Sequence, residues 1–151
     1  MTRDLLKTDD SWAGLILRVT LGVVMLPHGA QKLLGWFGGP GFNGTMAMFT
    51  DKMHIPMFLA LLVIIAESFG SLALIAGLLT RLAAFGITCI MVVAIAMVHW
   101  PNGFFMNWSG KQAGEGFEYH LLAIGIGVVL MIVGGGRWSM DRAISQREDT
   151  H

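Results

Sequence analysis

The sequence predicts an all-α membrane protein, an antiparallel bundle of four transmembrane helices with both termini in the cytoplasm. Three observations lead there. Hydrophobic residues fill 54% of the 151 positions and charged residues only 13%, whereas soluble domains run near a quarter charged. Four apolar runs, 12–36, 56–79, 82–100 and 119–135, approach or exceed the roughly 20 residues that a bilayer crossing requires. Finally, Arg3, Lys7, Arg81, Arg137, Arg142 and Arg147 lie on the side of the termini and the short linker. Only Lys52 and Lys111, with Lys32 at the edge, lie on the side of the two long loops. Cytoplasmic loops carry the excess of Lys and Arg, so the long loops belong outside.

Each element has its own signal. The opening "MTRDLLKTDDSW" mixes acids with bases and does not read as a cleavable leader. It is expected to be an amphipathic or disordered lead-in. The first run ends in "MLPHGAQKLLGWFGG", which places Pro27, His28, Gln31 and Lys32 where leucines and a polar cap would be ordinary. "LTRLA" is so short that the second and third helices must be antiparallel neighbours. The loops "FGGPGFNGTMAMFTDKMHI" and "PNGFFMNWSGKQAGEGFE" are rich in Gly, Phe, Trp and Asn, a composition suited to the membrane interface. The fourth run is the shortest. Gly22, Gly29, Gly70, Gly77, Gly125 and Gly127 are expected to let helices approach closely. No internal repeat is evident, and residues 1–151 read as one membrane domain.

Composition also excludes. The formal net charge is zero, with no basic block to neutralise a phosphate backbone, so nucleic-acid binding is not expected. A single cysteine, Cys89, allows no intrachain disulfide and no CxxC pair; it reads as a small core residue.

Ionisable groups at membrane depth need a partner or a task. Arg18, His28 and Lys32 share one stripe of the first helix, and Glu67 is the only charge in the second. Glu118 and His120 open the fourth. With the termini inside, His28, Lys32, His99, Glu118 and His120 converge on the outer half, beneath the aromatic loops. Glu67 lies near the midplane and Arg18 nearer the inner leaflet. Each has a plainer reading. Arg18 and Glu67 can form a structural pair, Lys32 can snorkel to headgroups, and His99 with Trp100 can be an interfacial anchor. His28 is too deep to snorkel, and Pro27 frees a carbonyl near Val23 where a ligand can bind. Bound metal or haem is disfavoured, because no histidine pair has the spacing of a known site. Glu118 and His120 fall about 200° apart around a helix.

The pieces "LRVTLGVVMLPHGAQKL", "AESFGSLALIAGLLTRLAA", "GEGFEYHLL" and "GGGRWSMD", in that order, resemble the DoxX family of small four-helix membrane proteins from position 15 to 141. The resemblance rests on Arg18, the cluster from His28 through Lys32, Glu67 with Gly70, Thr80 with Arg81, Glu118, and Ser139 with Asp141. It implies a bacterial inner-membrane, multi-pass protein similar to the small subunit of a thiosulfate:quinone oxidoreductase. Other members of the family are linked to thiol and oxidative-stress complexes. This chain has no cysteine pair with which to handle thiols itself.

Three functions are therefore expected in competition. The first is a redox-complex subunit binding a quinone or similar apolar carrier, with His28, Lys32 and Glu118 as catalytic residues and Arg18, Glu67 and His120 around the cofactor. The second is an oligomeric transporter for a small solute or proton, using Glu67. The third is a non-catalytic scaffold that recruits a soluble redox partner through residues 137–151.

Overall fold

A computed structural model describes residues 5–148; Arg3 and the last three residues of the 137–151 tail lie outside them. Among the described residues there is no strand. The helices are α1 (Trp12–Leu34), α2 (Gly41–Ala47), α3 (Met57–Ala76), α4 (Thr80–Ala94), α5 (Glu118–Val133) and α6 (Met140–Glu148). α4 continues through a π-helical turn, Ile95–His99, and a 3-10 turn, Trp100–Asn102. Three helices are long and apolar enough to cross a membrane: Trp12–Leu34, Met57–Ala76 and Thr80–Asn102. α5 has only 16 residues, about 24 Å at 1.5 Å per residue, and is a shorter apolar helix.

The four long helices close a square. α1 packs on α3, α3 on α4, α4 on α5 and α5 back on α1. Contacts fix their directions. Early α1 meets late α3 through Arg18 and Leu74, while late α1 meets earlier α3 through Lys32 and Glu67. The imidazole of His99 at the end of α4 likewise packs on that of His120 at the start of α5. Neighbours are thus antiparallel, and the centre is Leu21, Met25, Leu74, Ala84, Ile87, Met91, Ala123 and Leu130. The outward faces carry Ile16, Val23, Phe58, Leu62, Phe69, Phe85 and Leu122, all exposed, as a bilayer-solvated bundle needs. Trp12 and Trp138 stack edge to face at one end; Trp36, Trp100 and Trp108 stand exposed towards the other. Two aromatic belts result.

Arg18 organises the end where α1 begins. It is 2% exposed, and among the described residues no carboxylate pairs with it. Nε donates to the Gly135 carbonyl at 2.8 Å, Nη1 to those of Leu74 at 3.1 Å and Ile75, and Nη2 to those of Arg137 at 3.3 Å and Trp138 at 3.1 Å. All five guanidinium donors are used, on the open carbonyls of one helix end and of the turn after another. The Arg18–Glu67 pair, one of the two readings the sequence left open, therefore does not form.

Beside this knot, residues 77–79 turn α3 into α4. Gly77 adopts the left-handed conformation at φ +69, and an added Cβ would come within 2.5 Å of the Ser139 side chain. Asp141, 1% exposed, accepts from the Leu79 amide at 2.6 Å and the Thr80 amide at 2.9 Å. The N-terminus of α4 is thus capped from α6, where an anion is favoured. Arg81 ties the Lys7 and Met131 carbonyls to the same end. Arg142 and Arg137 beside Asp10 hold its carboxyl below the usual carboxylate range.

Several expectations change. The first long loop contains α2 and a π-helical turn, Met48–Lys52, so it is a short helical cap. α6 carried no apolar run to announce it. Cys89 is exposed on the outer surface of α4. Gly22, Gly29 and Gly127 meet neighbouring elements closely, whereas a Cβ on Gly70 would meet only Ala83 at 4.0 Å and one on Gly125 nothing.

Arg18→Lys offers three donors in place of five. At about 1 kcal/mol per lost bond, it is expected to cost about 2 kcal/mol, measured by denaturant unfolding in detergent.

Candidate functional site

The opposite end of the bundle holds a cavity of about 310 Å³, walled by α1, α3, α4 and α5 and covered by Phe49, Met53 and Met106 of the loops. His28, Lys32, Glu67, His99, Glu115, Tyr119 and His120 contribute its polar surface, and Met25, Met91 and Met97 much of the rest.

Close packing builds its first wall. An added Cβ on Gly29 would lie 2.6 Å from the Glu67 carbonyl oxygen, so only glycine permits this approach of α1 to α3. Ser68 Oγ donates to the Gly29 carbonyl at 3.2 Å. One turn further on, Lys32 Nζ meets Glu67 Oε2 at 2.5 Å. Glu67 is 4% exposed on its side chain and Lys32 22%, so the pair sits at the cavity surface with the ammonium outermost. Lys32 therefore does not snorkel away; it compensates Glu67. Its own carbonyl accepts from Thr45 Oγ1 of α2 at 3.1 Å, and Gly35 ends α1 in the left-handed conformation. Pro27 stands inside a continuous α1. His28, one turn before Lys32, is exposed at the cavity wall, with its ring 6.2 Å from that of Tyr119.

The second wall is aromatic. The rings of His99 and His120 lie 4.0 Å apart. His99 Nδ1 donates to the Glu115 carbonyl at 2.8 Å, which presents its Nε2 elsewhere. His120 is 6% exposed, and its buried Nδ1 has no hydrogen-bond partner among the described residues. A buried polar atom in that state is rare and calls for an explanation. Tyr119 donates to Met25 Sδ at 3.3 Å.

The sequence-predicted residues thus divide. His28, Lys32, Glu67 and His120 meet at the cavity. Arg18 does not: fourteen residues separate it from Lys32 along α1, about 21 Å. Glu118 does not either. Its carboxylate accepts from the Met106 amide at 2.9 Å and Trp108 Nε1 at 3.1 Å, so it folds the loop and is not part of the cavity lining. His99 is a cavity residue in addition to bordering the interface. Tyr119 and Glu115 were passed over, although Tyr119 is the only tyrosine of the chain and stands beside His120. The methionines gave no signal, because Met is the ordinary filler of irregular cores.

A bundle of apolar helices, one end tied by a buried arginine and the other opened into a polar cavity, defines a helical, multi-pass membrane protein. The pattern of the DoxX family matches residues 13–100, more than half of the chain, which belongs to that family. Inner membrane protein YqjF of Escherichia coli (strain K12) is 25% identical over 133 residues, covering 88% of this chain and 92% of that protein. No solved structure matches. The chain is a multi-pass protein of the inner membrane.

Removing one member of a buried ion pair strands the other. Lys32→Met is expected to cost about 3 kcal/mol in detergent unfolding, whereas Lys32→Met with Glu67→Leu is expected to recover most of that loss.

Proposed function

We propose that the chain is the membrane subunit of a redox complex and that its cavity receives the head of a quinone. The unpartnered Nδ1 of His120 carries this reading: His120 lines the cavity, its buried Nδ1 has no partner among the described residues, and a turn of the ring would offer that hydrogen-bonding valence to a ligand. Quinone reduction adds two electrons and two protons to two carbonyl oxygens. The electrons belong to a redox partner, and the protein supplies binding, orientation and protons. His120 can hold one oxygen, and His28, exposed at the cavity wall, can deliver a proton. Lys32 places positive charge where oxyanion character develops, and Glu67 keeps that charge compensated in the resting cavity. Methionine and aromatic surface accommodates the ring, and about 310 Å³ is within the range of small-molecule sites. Glu118 and Arg18 have no part in this chemistry. A transporter reading loses its main support, because Glu67 is paired with Lys32 and not alone.

The excess of Lys and Arg supports a cytoplasmic α3–α4 turn, with the cavity towards the outer half of the bilayer. The soluble electron-donating partner then sits beneath α6 or across the outer loops.

Two outcomes are expected. In purified protein, His120→Phe and His28→Ala each weaken binding of a quinone headgroup analogue at least tenfold by isothermal titration calorimetry, while Glu118→Gln changes it less than threefold. Undiminished binding in both histidine variants would sink the reading. For orientation, alkaline phosphatase fused after Gly110 is expected to be active, and fused after Glu148 inactive.

A further inference from the structure

The lipid-facing side of the bundle has a second hollow, a groove of about 830 Å³ between α3 and α4. Its lining is apolar apart from His54 and Cys89. Along α3 it runs from Leu59 to Ala73, fourteen residues or about 21 Å, most of the roughly 30 Å hydrocarbon layer. Gly70 and Gly86 deepen it: a Cβ on either would meet one methyl and nothing nearer, Ala83 at 4.0 Å and Ala66 at 3.4 Å.

The groove adjoins the cavity. Met53, Ile55, Val63, Ile90, Val93 and Met97 line both. The two hollows also differ in chemistry along a single axis. The polar groups gather at the end where α3 begins and α4 finishes, and the apolar trench leads from there towards the α3–α4 turn. A ligand that fills both has a small polar head and a long apolar chain running along the helices. An ordinary phospholipid fits poorly, since its anionic headgroup would have to sit beneath the loop cap, beside Glu67.

We propose that the α3–α4 groove holds the polyprenyl tail of a membrane carrier whose quinone head lies in the cavity. This rests on the quinone reading and adds the substrate class: a lipid-borne quinone, taken up sideways from the bilayer rather than from water. Entry is lateral, because the trench is open to the bilayer along its length and the cavity is capped by loops. The tail contributes affinity through apolar burial, and the head sets register.

The test compares two ligands with the same fully substituted benzoquinone head, one without a chain and one with a long isoprenoid chain. Both are titrated into wild type and Gly70→Leu in the same detergent. The added side chain meets no backbone, so Gly70→Leu is expected to melt no lower than wild type, and its branches fill the trench. Wild type is expected to bind the tailed ligand at least tenfold tighter. Gly70→Leu is expected to lose that advantage and keep its affinity for the tail-less head within twofold. A diazirine midway along the tail is expected to label α3 and α4 in preference to the outer faces of α1 and α5. If both ligands bind but Gly70→Leu keeps the full advantage, or the label spreads evenly over all four helices, the tail assignment falls and the head site stands. If neither ligand binds wild type, the quinone reading falls and this proposal with it.

Discussion

Arg18 is the constraint around which the rest of the bundle is arranged. A guanidinium buried among apolar helices is tolerable only when every donor is met, and here five carbonyls meet it. They belong to two separate places, the last turn of α3 and the segment 135–138. Satisfying the side chain therefore fixes three elements against one another at once. The positive charge also lies at the C-terminal end of α3, where the helix dipole is negative. Asp141, buried in the same region, supplies the opposite charge at the start of α4. One end of the molecule is in this way an electrostatic knot made almost wholly from backbone.

That knot leaves the other end free to be a cavity. With α1 and α3 held at Arg18, their approach at Gly29 sets how far apart Lys32 and Glu67 stand. α4 and α5 are pinned by Arg81 to the Met131 carbonyl and run on to bring His99 against His120. The site is the product of four helices, each fixed far from it and each delivering one or two side chains. The cavity and the scaffolding lie at opposite ends of the bundle.

The helices were legible because hydropathy over about 20 residues is a strong signal, and the antiparallel pairing of the second and third followed from the one short linker. His28, Lys32, Glu67 and His120, which line the cavity, stood out in the sequence because charge and imidazole inside apolar runs are costly. Pairing was not legible. Arg18 and Glu67 looked like natural partners by charge, yet helix phase cannot reveal that five carbonyls lie nearer. Glu118 was misjudged for a similar reason: its position at the head of α5 was read correctly, but the Met106 amide and Trp108 indole that take its carboxylate come from a loop without periodicity. Gly29 was read as a close-packing residue, and it does admit the α3 backbone. α6 escaped notice because a short polar helix has no apolar stripe to announce it.

The distribution of Arg18's partners bears on biogenesis. Two of its acceptors lie on α3, and the other three lie up to 120 positions away in sequence. At about 5–20 residues per second, the ribosome delivers that last segment roughly ten seconds after Arg18. Through that interval a chain with only its first helices inserted carries a half-satisfied guanidinium in the bilayer. Such an intermediate is held open, with α1 unable to settle until the C-terminal turn arrives. Assembly of the bundle is thereby timed to the completion of synthesis, and a truncated chain exposes its own defect.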